Sequence, residues 1–279
     1  MTPPEVVDTR PLFAPLHAEL LALLRALAPA DWDKPTLARE WAVRDVVAHM
    51  LDGTLRRLSF QRDGLPLVAP AAPVEGFRGL VALLDRLNAE WVRAARRLSP
   101  RLLIDLHALA GAQLAAFFES LDPLAPAFFP VAWAGADESA AWMDVGRDYT
   151  ELWHHQQQVR EAVGAPLLVQ PRWLQPLLSL ALRALPRAYA ALEAEPGTAV
   201  EVRIGGASGG AWALVRDTSR WRVWVGSPEK PRARVALDED AAWRLFFKAL
   251  AREEAARRVT RAGEAHLADA FLDARAVMA

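Results

Sequence analysis

The sequence has no cysteine, which removes disulfides, thiolate metal sites and protein-borne thiol nucleophiles together. Any thiol chemistry performed by this chain needs a thiol from outside. Lysine is almost missing too, with Lys34, Lys230 and Lys248 standing against abundant arginine, a pattern that reads as coding bias before it reads as a stability device. Neither sign of charge dominates: the formal net charge is −1, so no field favours nucleic acid or an anionic lipid surface and neither is expected as a partner. Long apolar runs are also scarce. The most apolar stretches are interrupted by Asp105 and His107, or by Arg183, Pro186 and Arg187, so none is expected to give the ~20 clean residues of a membrane span. The first ten residues lack a basic segment followed by an apolar one, which sets the expectation of a cytoplasmic protein without a secretory signal. No Gly-x-Ser-x-Gly elbow, His-Glu-x-x-His helix or Gly-x-x-x-x-Gly-Lys loop is present, so the common hydrolase and nucleotide-binding classes lose their motifs.

What is present is apolar mass in helical order. With 53% hydrophobic residues in 279, the chain can bury two ordinary cores. Apolar residues recur at three and four over 12–27, 43–60, 77–98 and 102–121, and a fifth helix is expected over 138–163, stopped by Gly164-Ala-Pro166. A further helix is expected over 171–192. Beyond Pro196-Gly197 the period shortens to that of strands at 200–204, 212–215, 221–225 and 233–237, with residues 205–210, a glycine-rich run, as a hairpin turn. Helices are then expected over 238–258 and 267–278. The fold class that follows is an α-helical bundle over residues 1–166 and a smaller α+β domain over 167–279.

Six histidines are the candidates for chemistry, and two lie four residues after a carboxylate, the spacing that stacks side chains on one helix face. Asp45–His49 reads as a helix start, with Asp45 favoured in the first turn by the dipole. Glu151–His155 is the stronger pair, offering one carboxylate oxygen and one imidazole nitrogen. If its helix packs against that of His49, the three side chains form a three-ligand site with an open position, suited to Zn²⁺, Ni²⁺ or Fe²⁺. His154 points about 100° away and takes a surface or inter-helix role, although the doubled His154-His155 leaves the ligand open by one position. His17, His107 and His266 read as structural or exposed. Gln156, Gln157 and Gln158 read as solvated helix surface, unless one orients a ligand from behind. Of eleven tryptophans, Trp41 and Trp153 are expected near the site.

The stretch Trp41-Ala-Val-Arg-Asp-Val-Val-Ala-His49-Met-Leu-Asp-Gly53 resembles the first signature of the DinB-like superfamily, in particular its mycothiol-dependent maleylpyruvate isomerase branch. Residues 147–164, from Arg147 through Glu151 and His155 to Gly164, resemble the second. The resemblance implies a DinB-like four-helix bundle holding a divalent metal, zinc first, through His49, Glu151 and His155. It also implies a sterol-carrier-like C-terminal domain, since Val259-Thr-Arg-Ala-Gly263-Glu-Ala-His-Leu267-Ala is similar to its closing pattern with Glu264 in place of Asp. Ala42 stands where the first signature has Thr or Ser, which weakens the helix cap. The branch's C-terminal basic residues find no match, so its specific activity is not implied. Together with the missing cysteine, the resemblance implies a metal-dependent transferase or isomerase using a low-molecular-weight thiol on a small electrophile. The alternative is a non-catalytic, metal-stabilised module that binds or senses a small molecule.

Overall fold

The computed structural model describes residues 1–38, 40–67, 74–134 and 139–277. The chain divides into two compact units. One comprises the described residues of Asp8–Phe129 and Ala140–Leu168; the other those of Met1–Val7, Pro130–Ser139 and Val169–Met278. The N-terminal strap and residues 130–134 thus belong with the C-terminal unit, which no local pattern announces.

The first unit is a helical bundle of α1 (Phe13–Ala26), α2 (Val43–Arg57), α3 (Gly76–Ala95), α4 (Pro100–Ser120) and α5 (Ala141–Val163). In α1 the apolar residues at three and four spacing, Phe13, Leu16, Leu20, Leu23 and Leu24, are buried together with His17, as an amphipathic stripe requires. They pack on α4 and α5, while α2 lies between α3, α4 and α5. Ring contacts fill the centre, Phe13 meeting Phe118 edge-on at 4.7 Å. Helix ends follow local chemistry. Ser99 accepts from the Leu102 N–H ahead of Pro100, and Gly164, at φ +70, closes α5 in the left-handed conformation that its missing Cβ permits. Ala42 has no oxygen to cap with; Asp45 instead accepts the Ala42 N–H at 3.2 Å and is tied to Arg96 at 2.9 Å. The α4 helix is long and apolar enough to cross a membrane by length and composition, its most apolar window having a mean hydropathy of 1.3. The expectation that no stretch qualifies is therefore corrected: the leucines and alanines around Asp105 and His107 outweigh them. Its inner face, including Leu103, His107, Gly111, Leu114 and Phe118, is buried in the bundle.

A buried ion cluster pins α2 to α5. The Arg57 side chain is 4% exposed and donates to both Asp144 oxygens, at 2.8 and 2.5 Å, and to Asp148 at 2.6 Å. Its guanidinium also lies over the rings of Phe118 and Phe129. Charges so deeply placed are tolerable only because each is paired and hydrogen-bonded.

The second unit holds a five-stranded sheet of β1 (Ala199–Gly205), β2 (Gly210–Arg216), β3 (Trp221–Val225), β4 (Ala233–Asp238) and β5 (Thr260–Gly263), in the order β3-β2-β1-β4-β5. The β1–β4 pair is parallel and the others antiparallel. Residues 205–210 form the β1–β2 turn, with Gly206 at φ +113. Three helical expectations are corrected. The helix over 171–192 divides into α6 (Pro171–Ala181), a 3-10 turn and the single turn α7 (Leu185–Ala188), because Pro186 has no N–H to give to a carbonyl four residues back. The helix over 238–258 divides into α8 (Glu239–Phe246) and α9 (Arg252–Arg258), with Lys248 at φ +59 between them. The helix over 267–278 starts earlier, as α10 (Ala265–Asp269), and turns extended at Ala274, whose ψ is 128. The Ala276 N–H then pairs with the Phe246 carbonyl rather than with its own turn. Strand β5 escaped the sequence reading because four residues with an exposed pattern carry no period.

Candidate metal centre

Two helices build the site: α2 brings His49, and α5 brings Glu151 and His155 one turn apart. Potential ligand atoms of the three side chains all lie within 4.8 Å of one another. The His49 and His155 rings meet edge-on with centroids 4.7 Å apart, and His155 Nε2 lies 3.3 Å from Glu151 Oε2. The sequence reading joined these three residues across about a hundred positions, and the packing of α2 on α5 brings them together.

The protonation states suit a cation. Burial, reinforced by the neighbouring His155, pushes the His49 imidazole down to about 3 against the pull of Glu151, so it is neutral at pH 7. Burial would raise Glu151, yet the adjacent His155, with His154 and His49, holds its carboxyl well below the usual range. Neutral imidazole and ionised carboxylate are the forms that ligate metals. Hydrogen bonding assigns the tautomer of His155. Its Nδ1 lies 2.8 Å from Gln158 Oε1 and donates there, which leaves the Nε2 lone pair facing Glu151. His49 Nδ1 is buried with no hydrogen-bond partner among the described residues, a cost that a bound cation would relieve. On donor set, protonation and this orphaned nitrogen, the residues fit a divalent ion held by two nitrogens and one oxygen.

The surroundings were legible in part. Trp41 flanks the cluster as expected, its ring 4.8 Å from His49 and 6.5 Å from His155. Trp153 does not follow its expectation: it is fully buried and donates to the Leu168 carbonyl, being two positions from each ligand and so about 200° round α5. His154 is buried rather than at the surface, bonding through Nδ1 to the Thr150 carbonyl, with its ring centroid 3.9 Å from that of His155. Gln156 and Gln157 are fully buried, not solvated; Gln156 donates to the Leu16 carbonyl and Gln157 accepts from the Leu168 N–H, so both satisfy backbone at the bundle's seams. Only Gln158 faces the site. His17 and His107 are structural. His107 Nε2 meets the Val47 carbonyl at 2.9 Å, and the His17 ring packs beside it at 6.3 Å. The sequence reading missed Arg56, about two turns along α2 from His49, whose charge contributes to the depressed His49 titration; its spacing of four from Asp52 was the available signal.

Comparison with solved structures finds the same architecture in the crystal structure of the mycothiol-dependent maleylpyruvate isomerase, at 14% identity and a TM-score of 0.55 over 95% of this chain and 97% of that one. A histidine-to-alanine mutant of that enzyme gives 14% and 0.56 over the same shares. A sterol carrier protein 2 like 2 from Aedes Aegypti covers 33% of this chain and 91% of its own at 17% identity, with a TM-score of 0.27 that is too low to bear on the fold. No curated protein sequence matches. The sequence profile of the Mycothiol maleylpyruvate isomerase N-terminal domain matches residues 13–160, more than half of the chain and all three residues of the cluster, and the protein belongs to that family.

Proposed function

We propose that the protein is a metal-dependent enzyme, a transferase or isomerase, that presents an external low-molecular-weight thiol to a small electrophilic substrate. The observation that supports this most is the convergence of His49, Glu151 and His155 within 4.8 Å, with His49 held neutral and Glu151 held ionised as a cation needs. A divalent ion there, zinc by its donor set with nickel and iron as alternatives, supplies the field that favours thiolate over thiol. The chain's own residues do the rest. Gln158 fixes the His155 ring, and Trp41 walls one side of the cluster with an apolar surface that limits water. With no cysteine in the chain, the nucleophilic sulfur comes from the co-substrate. On this reading the protein works in the cytoplasm, where small thiols are kept reduced.

The test has two parts. Metal analysis of the purified protein is expected to give one divalent ion per chain, lost in His49→Ala and in His155→Ala and largely kept in His154→Ala. Equal loss in all three would overturn the ligand assignment. A thiol-consumption assay with model electrophiles then separates turnover from binding. Mycothiol is the first thiol to try, because both solved relatives are described as mycothiol-dependent. Stoichiometric metal with no turnover across a panel of thiols supports the non-catalytic binding module instead.

A further inference from the structure

Gly53 stands four residues after His49 and three before Arg56, so the three share one face of α2, with the whole row spanning about 10 Å along the axis. Glycine inside a helix is a poor choice on propensity alone, and alanine is the better former. Crowding does not explain it: Gly53 is exposed, and a Cβ built there meets nothing within 4 Å. Gly111, a buried glycine of α4, presents the opposite case, since a Cβ there falls 2.0 Å from His17 Nε2. Space has therefore been left beside His49 at a position where the folded protein does not require it.

One end of the row is closed by the Trp41 ring and the other carries a guanidinium held in place. Arg56 Nη2 bonds to Asp52 and, at 2.7 Å, to Asn88 of α3, and the side chain remains 27% exposed. Its Nε–H and Nη1–H donors take no protein acceptor among the described residues. An oriented, solvent-accessible cation with unused donors is suited to a carboxylate, through charge-assisted hydrogen bonds. We infer that the α2 surface over Gly53 is a subsite for the body of a small-molecule ligand whose carboxylate end is met by Arg56. This rests on the proposed function only in that the ligand's other end lies at the His49 cluster.

Two probes of equal length test it, 6-mercaptohexanoate and 6-mercaptohexan-1-ol, titrated calorimetrically into zinc-loaded and chelator-treated protein. The carboxylate probe is expected to bind roughly tenfold tighter than the alcohol, the size of a charge-assisted hydrogen bond read as affinity. Arg56→Gln should reduce that ratio to about one while leaving the alcohol's affinity unchanged. Gly53→Leu should weaken both probes with metal content intact, as filling the space would. If Arg56→Gln does not fold, Asp52→Asn decides: freeing Arg56 from its carboxylate should raise the ratio, and an unchanged ratio overturns the subsite. Equal affinities in the wild type, a ratio that survives Arg56→Gln, or no binding of either probe also overturn it. A preserved ratio in protein that takes up no zinc fails the metal reading alone, whereas bound zinc without a ratio fails the subsite alone.

Discussion

Gly111→Ala is expected to change sign with its neighbour. Gly111 sits within α4 where α1 crosses it, and a methyl group there falls 2.0 Å from Nε2 and 2.3 Å from Cδ2 and Cε1 of His17. The His17 side chain has little room to retreat, being 8% exposed and set beside His107. Two effects compete. Alanine gains about 1 kcal/mol over glycine in a helix interior, while overpacking a filled core costs about 1–3 kcal/mol. In the wild type the clash dominates and Gly111→Ala costs up to about 2 kcal/mol. In a His17→Ala background the vacated ring volume accepts the methyl, and the same substitution should stabilise by about 1 kcal/mol. The coupling, about 1–3 kcal/mol, is well above the scatter between independent sites. Urea denaturation of the four proteins measures it through midpoints at constant m. Gly53→Ala serves as a control, expected to stabilise by about 1 kcal/mol in the wild type because nothing lies within 4 Å of its Cβ. Equal effects of Gly111→Ala in both backgrounds would refute the packing argument.

Three further outcomes follow from the geometry. Gln158→Leu removes the acceptor that orients His155 and should weaken metal binding roughly ten- to hundredfold by competition with a chelating dye, with little change in melting temperature. Arg57→Leu leaves the carboxylates of Asp144 and Asp148, which are 2% and 17% exposed, with Arg147 as their remaining ion partner, and should cost about 3 kcal/mol in denaturant unfolding, the low end for a broken buried pair. His107 is 1% exposed and burial pushes it down from 6.5 to about 4. Between those values the unfolded chain binds a proton that the folded one does not, so stability is full above about pH 6.5 and falls as pH drops toward 4. Taking the wild type from about pH 7 to about pH 5 should cost about 2 kcal/mol more than in His107→Gln, which keeps an N–H for Val47 without titrating. An identical pH dependence in the two proteins would show that His107 is not held neutral by the fold.

Short-range facts were readable wherever one element's own period or cap decided them. The stripe of α1, the stop at Gly164, the alternation in β4 and the stacking of His155 over Glu151 all follow from spacing within a single segment. Breaks were less legible. Nothing in the pattern over 238–258 marks Lys248 as left-handed, and β5 exists because β4 offers it an edge, not because four residues prefer to be a strand.

By itself the amino-acid sequence determined the bundle helices, the stop at Gly164, the exclusion of internal thiol chemistry and one half of the candidate site, Glu151 with His155, because a helix fixes neighbours four apart whatever surrounds it. The tertiary structure decided the rest. It set His49 against that pair, took Gln156 and Gln157 out of solvent and locked Arg57 between Asp144 and Asp148. Each of these depends on which face of α5 meets which face of α2 and α1, and that choice is made by packing summed over the whole core rather than by any residue's local preference.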